Sequence, residues 1–197
     1  MNNDTQNQPK ITKPFKRVDS KELKSIGFWL NQVFLVLSTI FGVYLAAQSG
    51  LEQALKFDTF SKMEDNYYLR TSLYDELKDN ADNLSQFADL LAKSPAKSEL
   101  VYNKPTIEKY IWHTMQNSSS TLQTPSEFLT GVRRFYTKSQ FIVDAAIDRK
   151  IAAKRASKEL KKAVEIIENQ ILPNLNTSAL RLKKELHQHG IDVETIK

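Results

Sequence analysis

From Ser25 to Leu51 the chain carries no charged residue. At about 1.5 Å of helical rise per residue this stretch is roughly 40 Å long, and about 20 apolar residues suffice to cross the hydrocarbon of a bilayer. Its core runs from Val33 to Ala47 and is extended on the N-terminal side by Ile26 to Leu30. A core of that length also suits a signal peptide, so the flanks decide. Tyr44-Leu-Ala-Ala-Gln-Ser-Gly50 offers no good pair of small residues for cleavage, which predicts a retained anchor over residues 25–51. Ile26, Trp29, Asn31, Gln32, Gly42, Tyr44 and Ala47 mark this span, with Phe28, Trp29 and Tyr44 suited to the interfacial aromatic belts. Asn31 and Gln32 either reach toward the headgroups and bond within the helix, or hydrogen-bond to a second transmembrane helix at about 1 kcal/mol.

Basic residues near a span tend to stay in the cytoplasm. Before the span stand Lys10, Lys13, Lys16, Arg17, Lys21 and Lys24 against Asp4, Asp19 and Glu22; from Glu52 to Asp65 the balance is two basic against four acidic residues. The expected organisation is a cytoplasmic tail over 1–24, disordered in its Asn/Gln-rich start, and an extracytoplasmic helical domain over 52–190. A short C-terminal tail over 191–197 completes it. The chain has no cysteine, which excludes disulfides, thiolate metal sites and a cysteine nucleophile. Its net charge of +5 is mild and locally concentrated, so no nucleic-acid partner is expected.

The fold class expected is all-α: one N-terminal transmembrane helix continuing into a stalk, then an antiparallel helical bundle. From Phe60 to Leu91 the apolar positions Phe60, Met63, Tyr67, Leu73, Leu77, Leu84, Phe87 and Leu91 recur mostly at three- and four-residue steps, the signature of an amphipathic helix. Gly50 is the expected place for a bend. Ser94 to Pro105 reads as a linker, with Pro105 opening a short helix to about Asn117 and a polar loop following it. Thr124-Pro-Ser-Glu127 combines an N-cap hydroxyl, a first-turn proline and a glutamate three residues past the cap. The helix it starts is expected to continue to about Leu172, with a joint around Thr137 to Ser139. Pro173 should kink or end it, and a last helix should finish near Gly190.

Lys150, Lys154, Lys158 and Lys162 recur every four residues, flanked by Arg149, Arg155 and Lys161. Like charges at that spacing destabilise a helix by a few tenths of a kcal/mol per pair, so the ridge does not serve the helix itself. Three readings follow: a solvated face, a pairing surface for the acidic residues Asp75, Glu76, Asp79 and Asp82, or a docking surface for an acidic partner or anionic lipid headgroups. The partner-docking candidates are Lys150, Lys154, Arg155, Lys158 and Lys162. Ala145, Ala152, Ala156 and Ala163 form a small-residue seam suited to close helix packing.

Catalytic signals are absent from the pattern. His187 and His189, two apart on a helix, point about 200° from each other and cannot share a metal. His113 follows Trp112 and reads as packing or surface. With five glycines there is no phosphate-cradling loop, and no G-x-S-x-G or H-E-x-x-H occurs. No cofactor, metal site or enzymatic activity is expected.

Gly42-Val-Tyr-Leu-Ala46, followed by Glu64, Tyr68-Leu69, Leu73, Glu76-Leu77, Asn80 and Leu84, resembles a group of uncharacterised bacterial single-pass proteins over residues 37 to about 84. The tryptophan and Asn-rich turn many of them carry after the span are missing. The resemblance implies a bacterial inner-membrane protein with a periplasmic helical domain, and brings no activity with it. The function expected is that of a non-enzymatic, membrane-anchored interaction protein, an accessory subunit or scaffold. Its partners would be the bilayer and another membrane protein or a second copy of itself. The alternative is a sensory module whose bundle binds a ligand and signals through a separate partner.

Overall fold

The computed structural model describes residues Ile26–Glu194, so the predicted tail over 1–24 and the last three residues lie outside it. The described chain is helical throughout: α1 (Ile26–Ala92), α2 (Lys97–Tyr102), α3 (Tyr110–Asn117), a 3-10 turn (Ser119–Gln123), α4 (Ser126–Ile147), α5 (Ala153–Ile166), a π turn (Ile167–Ile171) and α6 (Leu172–Gln188). It divides into two compact units, residues 1–54 and 55–197.

In the first unit every described side chain is exposed, among them Trp29, Phe34, Phe41, Val43 and Tyr44. This segment of α1 is long and apolar enough to cross a membrane, and none of it is buried against protein. Gly50 has helical backbone.

The second unit is organised on the rest of α1. Met63, Tyr67, Arg70, Leu73, Leu77, Ala81, Leu84, Ala88 and Leu91 are all buried, a run of three- and four-residue steps that keeps one stripe turned toward the neighbouring helices. Phe60, the first residue expected in that stripe, is half-buried. Side-chain contacts fix the directions. Thr124 meets Asn66, Tyr136 meets Glu76, and Arg149 reaches the carbonyl of Pro95 just beyond α1, so α4 runs parallel to α1. Lys161 pairs with Asp89 at 2.6 Å and Ser178 with Arg70 at 2.7 Å, so α5 and α6 run back the other way. The connection through α2 and α3 returns beside α1, which gives an up-down-up-down order whose second leg is made of short helices and loops.

One core fills the space between these legs, with Leu73, Leu77, Leu84, Val132, Val143, Leu160 and Leu175 fully buried. Full burial of each such side chain stabilises by about 1.5–3 kcal/mol relative to exposure. A smaller cluster, Met63, Tyr67, Ala179, Leu186 and Val193, joins α6 and the residues after it to α1.

Several boundaries differ from expectation. The segment read as a linker contains α2, and Pro105 lies between α2 and α3 instead of opening a helix. Thr124 does not cap α4: its hydroxyl is buried and donates to Asn66 Oδ1 at 3.3 Å, and the helix begins one residue later with Pro125 at the cap position. No joint occurs at Thr137 to Ser139; the break comes at Asp148–Ala152. There Arg149 takes φ of 61° and the Lys150 and Arg149 N–H groups donate back to the carbonyls of Ala145 and Ala146, the Schellman closure usually built with glycine. The Arg149 guanidinium holds this turn by donating to the Pro95 carbonyl at 2.9 Å.

Pro173 neither ends nor interrupts the helical run, because the π turn precedes it and it occupies the first turn of α6. The last helix closes as expected: Gly190 has φ of 77°, and its N–H and that of Ile191 donate to His187 and Leu186.

Candidate functional site

Inside the second unit the carboxylate of Glu76 is a hub of hydrogen bonds. It is 9% exposed and accepts from the backbone N–H groups of Ile111 at 2.6 Å and Trp112 at 3.2 Å, and from the Tyr136 hydroxyl at 2.6 Å. A carboxylate at the first turn of α3 satisfies donors that no helix can satisfy internally and complements the helix dipole. One turn further, Asn80 exchanges two hydrogen bonds with the backbone of Glu108, at 2.7 and 2.9 Å. Burial, and then the hydrogen bond to Glu76, push the Tyr136 phenol well above its ordinary range. Glu76 thus has its oxygens committed to structure and is not available to the basic ridge.

The predicted ridge is only partly one surface. Lys150 lies in the turn before α5, beside Asp148 at 2.9 Å, whereas Lys154, Arg155, Lys158 and Lys162 are exposed on α5. The hydrogen bond from Lys150 draws the Asp148 carboxyl below the usual range. Asp89 of α1 is paired with Lys161, and no ion pair joins Lys154, Arg155, Lys158 or Lys162 to any carboxylate among the described residues. The alanine seam is split as well, since Ala145 belongs to α4 and Ala152 is the exposed cap of α5; Ala156 and Ala163 are buried in the core.

The spacing did not disclose a groove beside this face. It lies between α4 and the α5–π segment and encloses about 630 Å³. Phe135, Ala163, Ile167 and Ile171 form its apolar part, with Arg134 and Lys138 on the α4 side. Gly131 brings the two walls together: a Cβ there would stand 2.6 Å from Ile171 Cδ1. The π turn supplies Ile167, Gln170 and Ile171, and such turns frequently occur at functional sites. Lys138 crosses to Glu159 at 3.1 Å, and that bond lowers the Glu159 pKa. Arg134 and Lys138 also line an adjoining hollow under Phe141, which is 67% exposed.

Glycine in mid-helix and an apolar five-residue step from Ile167 to Leu172 are the sequence signals that point to this place. A second hollow of about 470 Å³, between Asn83 and Pro105, has mainly polar walls and fewer fixed charges.

The remaining candidates stay apart. Ile26, Trp29, Asn31, Gln32, Gly42, Tyr44 and Ala47 are exposed on α1, Trp29 edge-on to Phe28 at 6.2 Å between ring centres. His113 is exposed beside Gln116, His187 faces Asp192 at 3.6 Å, and His189 stacks on Phe60 at 4.7 Å. Among the described residues no three histidine or carboxylate groups gather as metal ligands would. No family model, curated protein or solved structure matches the chain.

Proposed function

We propose that this chain is a membrane-anchored, non-enzymatic interaction protein, an accessory subunit or scaffold that holds a partner beside the bilayer. The observation that carries the reading is the contrast between the two units: an apolar helical segment with no protein cover, and a helical unit whose α5 face exposes Lys154, Arg155, Lys158 and Lys162. An apolar helix of that length is stable in lipid and costly in water, so residues 25–51 act as a retained anchor in this reading. The excess of basic residues before the span supports an N-terminus in the cytoplasm and the helical unit on the opposite side, which the resemblance over residues 37–84 implies to be the periplasmic side of a bacterial inner membrane. Asn31 and Gln32 provide hydrogen-bonding groups for a partner's transmembrane helix.

Crosslinking in intact cells, followed by purification of the full chain in mild detergent and mass spectrometry, tests the reading. A stoichiometric membrane protein that stays attached is the expected result. Recovery of this chain alone would overturn it. The groove favours a second reading, a ligand-sensing unit, because its volume suits a small amphiphile. A ligand that raises the melting temperature of the full chain without any partner would select that alternative.

A further inference from the structure

We propose that the groove between α4 and the π turn is the docking site for an acidic amphipathic helix of another protein; this names the partner chemistry for the interaction reading above and rests on it. The first argument is shape. Along α4 the groove runs from Ser126 to Lys138, about three helical turns or roughly 18 Å, and Arg133, Thr137 and Phe141 continue the α4 surface beside it. A trough of that length matches a helix of three to four turns and is longer than a compact ligand requires.

The second argument is the pattern of its surface. Ile166, on the α5 wall, is 39% exposed over an apolar floor that includes Phe135 and Ile171, and Phe141, on α4 next to the groove, is 67% exposed. An incoming helix with apolar residues at three- and four-residue steps would cover both. The third is charge. From Ser126 to Ile166 the chain holds ten basic and five acidic residues; the charged lining of the groove itself is Arg134, Lys138, which is paired with Glu159, and the carboxylate of Glu127. Arg133 and Arg134 on α4 and Lys162, one turn before Ile166, are exposed and make no ion pair among the described residues. Carboxylates flanking the apolar stripe of the incoming helix would meet them, which sets its orientation and speeds encounter.

The chain's own segments do not fit. Residues 1–24 carry six basic and three acidic residues, the wrong sign. The acidic stripe of α1, Asp75, Asp79 and Asp82, has no large exposed apolar residue between Ser61 and Ala92, so a second copy offers charge without an anchor.

The test places benzoylphenylalanine at Thr130 or Thr137, and at Lys184 on α6 as a control, in the full-length protein in cells. After irradiation, the captured peptide is sequenced by mass spectrometry. The expected result is one acidic peptide with apolar residues every three or four positions, taken from Thr130 and Thr137 and not from Lys184. The double variant Arg133→Glu/Arg134→Glu, with unchanged circular dichroism, should reduce capture at least tenfold. Adducts with lipid, with this chain itself, or equally from Lys184 would overturn the proposal, as would capture insensitive to the double variant. If a membrane partner co-purifies equally with wild type and the double variant, the interaction reading stands and this groove assignment falls. If nothing co-purifies with either, both fall.

Discussion

The Glu76 carboxylate stands 2.6 Å from the Tyr136 hydroxyl, joining α1 to α4 at the point where α3 begins. Because the same carboxylate also receives two α3 backbone donors, its loss strands those two N–H groups and removes one of the partners of the Tyr136 hydroxyl. Tyr136→Phe removes one donor and should cost about 1–2 kcal/mol, while Glu76→Ala should cost about 3 kcal/mol or more. A double-mutant cycle by urea unfolding of the full chain in nonionic detergent should give a coupling of about 1–2 kcal/mol. Additive losses would show that the two groups do not act together.

The same pair makes a pH prediction. Burial and the bond to Glu76 raise the Tyr136 pKa in the folded state, so the proton is held more tightly there than in the unfolded chain. Its contribution is therefore complete below the unfolded value of about 10 and is lost as the pH rises beyond it. Wild type should lose stability relative to Tyr136→Phe between about pH 9.5 and 11. Parallel melting curves for the two proteins across that interval would contradict the assignment.

Ser139 sits fully buried in α4 with no hydrogen-bond partner for its hydroxyl among the described residues. An unsatisfied buried hydroxyl is a cost, and alanine is the better helix former. Ser139→Ala should raise the melting temperature, by a gain of about 0.5–1 kcal/mol. A lower melting temperature would mean that the hydroxyl has a partner in solution.

Gly131 and Ile171 should be energetically coupled. Alanine at 131 gains about 1 kcal/mol of helix propensity, but its Cβ meets the end of the Ile171 side chain, so Gly131→Ala alone should be nearly neutral. Ile171→Val removes the obstructing methyl, and the double variant should be more stable than the sum of the singles by about 1 kcal/mol. Strict additivity would show that Ile171 swings aside without cost.

Reversal of Lys154, Lys158 and Lys162 to Glu should leave helicity and melting temperature nearly unchanged, since these side chains are exposed and make no ion pair among the described residues. Lys161→Glu should lose more, up to about 1 kcal/mol, because it places like charges beside Asp89. Far-ultraviolet circular dichroism through a thermal ramp separates the two cases.

Much of the fold is readable from apolar spacing. The stripe from Met63 to Leu91 appears in the primary structure because its period belongs to the helix itself, and Gly190 announces its own left-handed turn. Arg149 does not, because an arginine at positive φ is held by a carbonyl 54 residues away, and no local pattern records that partner. Thr124 misleads for a related reason: its hydroxyl goes to Asn66, a competitor for the cap that only the folded chain brings near. The basic ridge was legible as composition, but its division at Lys150 and the groove beside it depend on where α4 stops and where the π turn falls.

The π turn also resolves a phase problem. Buried residues run Ala156, Leu160, Ala163 and Val164 before it, Ile167 at its start, and Leu172, Leu175, Ala179 and Leu186 after it. In an unbroken α-helix a five-residue step from Ile167 to Leu172 would rotate the stripe by about 140°, turning one half toward water. The wider turn absorbs one surplus residue and returns both halves to a common seam. The helix therefore reads as two in-frame segments with a single-residue insertion between them, and the length of this chain, as much as its chemistry, gives the groove its shape.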